Sequence, residues 1–257
     1  MPETKWGYEI AGDEFESWVR AETDDWICID KPPLVVCHPS KHGPTSSLAG
    51  AVRHYRGLES SHLIFRIDRE TSGVVLVAKN RPTASRLQRA VGGRIVQKEY
   101  IAVLTGELSK IVTVDMPLGR DLDSPIVAKQ GYRPKGGREA KTVFEPLATN
   151  RGFSLVRVEM WTGRQHQIRA HAAHSGFPLV GDKIYGVPAD IFLSFIADGW
   201  TDRHEEILEH RRQALHAHRV VFNFPGERMS FEAPLAPDLV TFCLQRMGVD
   251  DPVRFAS

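Results

Sequence analysis

Short apolar runs alternate with polar stretches along the chain, and this pattern predicts strands and helices that interleave. In LIFRIDRETSGVVLVAK (63–79), two apolar runs typical of buried strands enclose a polar junction that holds Asp68. Further strands are predicted in segments with apolar or alternating character, at 26–40 (two short strands around a Pro-Pro turn), 97–107, 141–149, 153–161, 220–225 and 229–234. Helical spacing with Gly or Pro at the ends predicts helices at 47–57, 81–93, 164–176 and 237–248.

The order of these elements indicates the fold class. Strands and helices do not alternate strictly, as they would in a doubly wound sheet, and neither GxGxxG nor GxxxxGKS/T occurs, which argues against a dinucleotide site or a P-loop. We therefore expect an α+β domain on a large mixed, mostly antiparallel β-sheet flanked by helices. Residues 187–212, rich in Asp, Glu and Arg, look like an insertion in that domain.

Composition narrows the class of protein. Hydrophobic residues make up 42% of the chain and charged residues 25%, which is ordinary for a soluble globular protein. The longest apolar runs are too short to span a membrane, and the acidic start of the chain does not look like a secretory signal. Three scattered cysteines without CxxC spacing argue against a disulfide framework or a zinc ribbon. We expect a cytoplasmic protein in a reducing compartment.

The net charge of +1 hides an uneven distribution. Residues 1–30 hold nine acids against two bases, whereas residues 61–98 hold eight bases against two acids. The segment 128–142 adds five bases against one acid. Such asymmetry indicates a polyanionic partner such as a nucleic acid, although charge runs also form ordinary solvated faces.

Asp68 is the first candidate for chemistry, because it lies between two predicted core strands with Arg66 and Arg69 on either side. One interpretation is structural: the carboxylate caps the turn by accepting N–H groups from Thr71 and Ser72. The other is catalytic: a carboxylate beside cations stays ionised at neutral pH, which suits a nucleophile. Spacing alone leaves both open.

The segment TGRQHQIRAHAAHSG offers three interpretations. His166, His171 and His174 could bind a metal, although their spacing does not match HExxH and no acid lies among them. His171 and His174 could instead be packed, hydrogen-bonded histidines. In the third interpretation Arg169 reaches a carboxylate across a cleft, and Asp68 is the candidate.

Three other features of the sequence have two interpretations each. Tyr100 opens an apolar strand and is either a core residue or a flat face on which a base stacks. Asp182, in a tight turn between glycines, suits a structural role better than a catalytic one. The histidines of RQALHAHRVVF either line a sheet face or contact phosphate.

Taken together and in order, these segments resemble the RluA-type pseudouridine synthases. The motifs that carry the resemblance are DDWICIDKPPLVVCHPS, FRIDRETSG (65–73), KEYIAVLTG (98–106), TGRQHQIRAHAAHSGFPLVGDKIYG (162–186) and RQALHAHRVVF, and they span about Asp24 to Pro237. The resemblance implies the pseudouridine synthase fold with a central RNA-binding cleft over residues 24–257, preceded by an acidic extension at 1–23 without an S4-type domain.

The resemblance also implies an activity: isomerisation of specific uridines in rRNA or tRNA to pseudouridine by a monomer without cofactor or metal. Asp68 would be the nucleophile, through either a bond to C1′ or a glycal, with Arg169 paired to it and Tyr100 stacked on the uracil. Arg66 would fill the gap that the extruded nucleotide leaves. The remaining residues expected to bind RNA are Arg69, Thr71, Lys129, Arg133, Lys135, Arg138, Arg164, His166 and Gln167.

Two departures from the family pattern stand out. Phe65 occupies the position where the family usually has His. Without an S4-type domain, RNA selection would depend on the catalytic domain, including the basic segment 128–142. Two other classes stay open: a non-catalytic RNA-binding protein on the same scaffold, and a metal hydrolase built on the histidines.

Overall fold

The computed structural model describes residues 9–38, 43–92, 97–224 and 227–256. The helices and strands follow in the order α1 (Gly12–Trp18), β1 (Val19–Glu22), β2 (Trp26–Lys31), α2 (Leu48–Tyr55), β3 (His62–Leu63), β4 (Ser72–Ala78), α3 (Arg81–Gly92), β5 (Gln97–Thr105), β6 (Val112–Asp115), β7 (Leu118–Arg120), β8 (Gln130–Tyr132), β9 (Lys141–Asn150), β10 (Phe153–Met160), α4 (Gln167–His174), α5 (Ala189–Asp198), α6 (Asp202–Leu208), β11 (Leu215–Phe224), β12 (Glu227–Glu232) and α7 (Pro237–Phe242). A π-helical turn, Cys243–Met247, follows α7, and a short 3-10 helix covers Val253–Ala256. Among the residues described, no helix is both long and apolar enough to cross a bilayer.

The chain forms two compact units, one of Met1–Lys98 with Ala217–Ala236 and one of Glu99–His216 with Pro237–Ser257. In the first unit the strand order is β1-β2-β4-β11, with β3 also paired to β4 and β12 to β11. Every residue of β4 is buried, as expected for a continuous apolar run in the middle of a sheet. Leu76 of β4, Leu87 of α3 and Phe222 of β11 share one apolar cluster, so helix α3 covers this face of the sheet.

The Thr-Ser-Gly turn at the start of β4 has a steric reason for its glycine. Gly73 has φ +109°, and a Cβ built there would lie 2.1 Å from the carbonyl oxygen of Ala217. Only glycine permits both this backbone conformation and this approach of the two chains.

In the second unit the strand order is β5-β10-β9-β6, and β7 and β8 form a separate two-stranded ribbon. The pairs β5–β10, β10–β9 and β9–β6 are all antiparallel. The segment 187–212, predicted to be an insertion, folds into α5 and α6. The expected α+β class with a mostly antiparallel sheet and flanking helices is confirmed.

Most predicted elements are confirmed, whereas one predicted strand is wrong and one predicted helix begins later than expected. The second strand predicted within 26–40 is absent from the described part of that segment, up to residue 38. There Leu34 has φ +71°, and the carbonyls of Val36 and Cys37 accept the N–H groups of Leu48 and Ala49 at the start of α2. These carbonyls satisfy a helix terminus and therefore do not join a ladder.

The helix predicted at 164–176 begins only at Gln167, because His166 has a left-handed backbone with φ 53°. Residues 164–166 therefore lie before the helix. Parts of three other predicted segments lie outside the described residues. They are residues 39–40 of the segment 26–40, Gly93 of the helix predicted at 81–93, and residues 225–226 of the last predicted hairpin.

Candidate active site

Asp68 lies in an irregular segment between β3 and β4, where it is half-buried. The chain turns there, and the N–H of Thr71 donates to the Asp68 backbone carbonyl at 3.1 Å. Arg66 and Arg69 are exposed on either side, and Arg69 Nε donates to the carbonyl of Leu34 at 3.2 Å. Thr71 is 1% exposed, so any influence on RNA would come from within the protein.

A fully buried lysine holds this turn. Lys31 is 0% exposed, and its Nζ donates to the carbonyls of Pro32 at 2.8 Å, Val35 at 2.9 Å and Arg69 at 3.1 Å. Three carbonyl acceptors match the three donors of an ammonium group, which makes its burial tolerable. Because Arg69 follows Asp68 directly, the lysine limits the movement of the candidate nucleophile.

Phe65, where the family usually has His, has a partner on the same unit. The Lys98 ammonium lies 5.2 Å from the centre of the Phe65 ring, a cation–π distance. Burial lowers the pKa of Lys98, because desolvation disfavours its charged form. A neutral aromatic ring suits this neighbour better than an imidazole that could become protonated.

In the second unit, Arg169 forms a buried bidentate ion pair with Asp182. The Nε–Oδ2 distance is 2.7 Å and the Nη2–Oδ1 distance 2.8 Å, with side-chain exposures of 7% and 0%. Asp182 Oδ1 also accepts the N–H groups of Ile184 and Tyr185. Gly181, with φ +75°, turns the chain into this position. The structural role predicted for Asp182 is thus clear: it orients Arg169. The predicted pairing of Arg169 with Asp68 stays a prediction.

The loop before α4 is organised by Gln167, which is 2% exposed. Its Oε1 accepts from Thr162 Oγ1 at 2.8 Å and from the Arg164 N–H at 3.0 Å. Its Nε2 donates to the carbonyl of Lys141 and to Thr142 Oγ1. The amide thus uses both donors and both acceptor sites inside the protein, so Gln167 shapes the loop that carries Arg164 and His166.

Of the other histidines, His171 is fully buried, whereas His174 is exposed. His171 Nδ1 is 2.9 Å from Thr142 Oγ1, and Nε2 is 3.1 Å from the Met116 carbonyl oxygen. Burial also lowers the pKa of His171. The packed interpretation holds for His171 and is wrong for His174. Because both nitrogens of His171 are engaged, the predicted three-histidine metal site loses a ligand. No metal-binding cluster of His, Cys, Asp or Glu occurs within the described ranges.

Tyr100 lies in β5 opposite Val158 of β10 and is 7% exposed. The histidines of RQALHAHRVVF, His216 and His218, are at most 4% exposed, and His218 Nδ1 lies 2.9 Å from the Ala233 carbonyl oxygen. They line the sheet, and their burial argues against direct contact with phosphate.

The predicted basic segment, 128–142, contains strand β8 of the β7–β8 ribbon. Lys135 and Arg138 are exposed, Arg133 is half-buried, and Lys129 lies 3.5 Å from Asp121. The neighbouring Arg164 is held by its Nε, which donates to the carbonyl of Glu139 at 2.9 Å. This part of the second unit therefore presents several guanidinium and ammonium groups to solvent.

Residue-by-residue interpretation missed Lys31 and Tyr185. Lys31 directly precedes Pro-Pro at the end of a buried strand, but this position alone does not indicate its role. Tyr185 lies in the GDKIYG part of a motif that carried the resemblance, but its hydroxyl contacts come from segments distant in sequence.

Comparisons with known proteins point to one family. The family model described as RNA pseudouridylate synthase matches residues 25–174. YjbO of Bacillus subtilis, named an uncharacterized RNA pseudouridine synthase, is 36% identical over 225 residues, covering 85% of this chain and 72% of that protein. Ribosomal large subunit pseudouridine synthase D of Haemophilus influenzae is 33% identical over 229 residues, covering 85% of this chain and 67% of that protein. The solved structure of human RNA pseudouridylate synthase domain containing 4 has a TM-score of 0.69 at 21% identity, covering 90% of this chain and 93% of that one, which shows a shared fold.

The chain therefore belongs to the RNA pseudouridylate synthase family, and the resemblance seen in its motifs is confirmed. It is an isomerase that converts uridine to pseudouridine in RNA.

Proposed function

We propose that Asp68 is the nucleophile of this isomerase and that its target uridine lies in the RNA of the large ribosomal subunit. The observation that carries the first part is the position of Asp68: a half-buried carboxylate between two exposed arginines, on a turn that the buried Lys31 holds. The second part draws on relatives named ribosomal large subunit pseudouridine synthase D, about a third identical over most of the chain.

The reaction needs an ionised carboxylate and no redox partner. The N1–C1′ bond of uridine breaks, the base turns within the site, and a C5–C1′ bond forms. C5 loses its proton and N1 gains one, so atoms and electrons balance. Asp68 either bonds to C1′ or assists elimination to a glycal, and both routes use its negative charge.

Arg169 and Tyr100 complete the proposed catalytic set. Arg169 supplies the positive charge that favours the ionised form of Asp68, and its bidentate pair with Asp182 supports a fixed orientation. Tyr100 stacks on the uracil. Because only 7% of Tyr100 is exposed, a small part of its ring would contact the base. We therefore expect the lower end of the roughly 1–3 kcal/mol that such stacking contributes.

The target nucleotide must leave its stack to reach a half-buried carboxylate, which costs on the order of a few kcal/mol. We propose that Arg66 fills the vacated space and that phosphate contacts supply most of the remaining energy. The residues proposed for these contacts are Arg69, Lys129, Arg133, Lys135, Arg138, Arg164 and His166. Thr71 and Gln167 contribute from inside the protein, by holding the loops.

We also propose that the protein is a monomer and that it acts in the cytoplasm without a metal. All three cysteines are free and buried, and burial raises the pKa of Cys28 and Cys243 to about 12, which keeps them as unreactive thiols. Light scattering tests the monomer, and undiminished activity in EDTA supports the metal-free reaction.

The decisive experiment replaces Asp68 with Asn, which removes the charge and keeps the size. Pseudouridines are mapped in total RNA from a strain without this gene, complemented with wild type, Asp68→Asn or Asp13→Asn. The last variant makes the same change at an exposed position of the same unit. We expect loss of at least one large-subunit pseudouridine in the deletion strain, restored by wild type and Asp13→Asn only. Purified Asp68→Asn should bind RNA within about an order of magnitude of wild type.

Three outcomes would contradict the proposal. A functional Asp68→Asn enzyme would refute the nucleophile. A missing pseudouridine in transfer RNA would refute the target. No change in any RNA would favour the alternative of a non-catalytic RNA-binding protein.

A further inference from the structure

One buried hydroxyl touches two segments that are distant in sequence. Tyr185 is 3% exposed, and its Oη accepts the N–H of Gln130, the first residue of β8, at 2.8 Å. The same oxygen lies 3.1 Å from Nδ1 of His166, the left-handed residue before α4. Tyr185 therefore links the basic β7–β8 ribbon to the loop that precedes Arg169.

These two contacts limit where the hydroxyl hydrogen of Tyr185 can go. A phenol hydroxyl has one hydrogen, and the Gln130 N–H can only donate. The hydroxyl that accepts from Gln130 is thus able to donate its own hydrogen to His166, provided that Nδ1 carries none. A neutral His166 then has its ring hydrogen on Nε2, so the ring acts as a donor at that atom.

The ring of Tyr185 contacts the proposed catalytic machinery as well. The guanidinium carbon of Arg169 is 5.1 Å from the ring centre, and the His166 ring meets it edge to face at 5.8 Å. Asp182, the bidentate partner of Arg169, also accepts the backbone N–H of Tyr185 at 3.2 Å. Tyr185 thus contacts Asp182 through its backbone N–H, Arg169 through its ring and His166 through its hydroxyl.

We propose that Tyr185 is a positioning residue: its hydroxyl holds His166 in the Nε2–H tautomer and couples the basic ribbon to the loop and helix that carry His166 and Arg169. The importance of those two residues for RNA turnover rests on the proposed function. The tautomer itself is a property of the free enzyme and is measurable without any activity.

The test is Tyr185→Phe, which removes only the hydroxyl and keeps the ring beside Arg169. The matched control is Tyr55→Phe in the other unit, where the hydroxyl donates to the Ile10 carbonyl at 2.7 Å. Side-chain 15N NMR of the free protein reports which nitrogen of His166 carries the hydrogen. Single-turnover kinetics on a transcript of large-subunit ribosomal RNA, the proposed target, gives kcat/KM.

We expect His166 to be in the Nε2–H form in wild type and Tyr55→Phe, and a mixture of tautomers in Tyr185→Phe. We also expect kcat/KM of Tyr185→Phe to fall about tenfold, in line with one lost buried hydrogen bond. In a His166→Asn background, where the ring nitrogen is absent and the left-handed backbone is tolerated, Tyr185→Phe should add little further loss.

An unchanged tautomer in a folded Tyr185→Phe protein would overturn the proposal. A changed tautomer with kcat/KM equal to the control would overturn the coupling. A full additional loss in the His166→Asn background would show that the hydroxyl acts elsewhere. Failure of the nucleophile assignment would show up separately, as an active Asp68→Asn enzyme with the tautomer result intact.

Discussion

The buried pair of Arg169 and Asp182 makes a strong prediction about stability. Asp182→Ala leaves a guanidinium that is 7% exposed without its bidentate carboxylate, and two backbone N–H groups without an acceptor. Removing one partner of a buried ion pair costs about 3–5 kcal/mol, because the remaining charge stays desolvated. We expect a loss of unfolding free energy in that range, which is a substantial part of the stability of an ordinary domain.

Urea denaturation followed by circular dichroism measures this loss, with the slope of the transition checked for an unchanged unfolding reaction. Asp190→Ala is the control: its carboxylate also pairs with an arginine, Arg203, but both side chains are more than half exposed. We expect its urea midpoint to match wild type, since solvent screens such a pair. A loss below about 1 kcal/mol for Asp182→Ala would refute the claim that the pair holds Arg169 in place.

Two further predictions concern single contacts. Burial acts to raise the pKa of Asp238, but the hydrogen bonds and charge of Arg212 outweigh it and hold the pKa below its ordinary value of 3.8. The pair therefore stabilises the fold above about pH 4, and this contribution is lost as the pH falls. Between pH 6 and pH 3, Asp238→Asn should therefore lose less unfolding free energy than wild type, as measured by urea titrations. Equal losses in the two proteins would contradict the assignment. Phe65→Leu should lower the unfolding free energy by roughly 1–2 kcal/mol through lost cation–π contact and packing with Lys98, whereas Phe65→Tyr keeps the ring and should change it little; identical transitions for the two variants would count against the contact.

Local patterns predicted most of the elements correctly, because burial on one face imposes a period on the chain. The runs at 74–78 and 153–160 are strands, and α2 ends before Gly57 as expected. The segment at 34–37 has strand composition but satisfies the N-terminus of α2 instead. Such a partner lies about a dozen residues away, beyond the reach of a periodicity argument.

The sequence by itself determined the family, the mixed α+β class and the identity of Asp68 as a candidate, since long motifs survive as ordered strings of residues. Only the tertiary structure decided which polar groups form all their hydrogen bonds inside the protein. Gln167 and His171 looked available for RNA or metal, yet both bury every hydrogen-bonding atom against partners 3 to 55 residues away. It also decided that Lys31 braces the Asp68 turn and that Asp182 holds Arg169. The physical reason is that a buried charge is tolerable only with matched partners at hydrogen-bond distance, and folding alone brings those partners together.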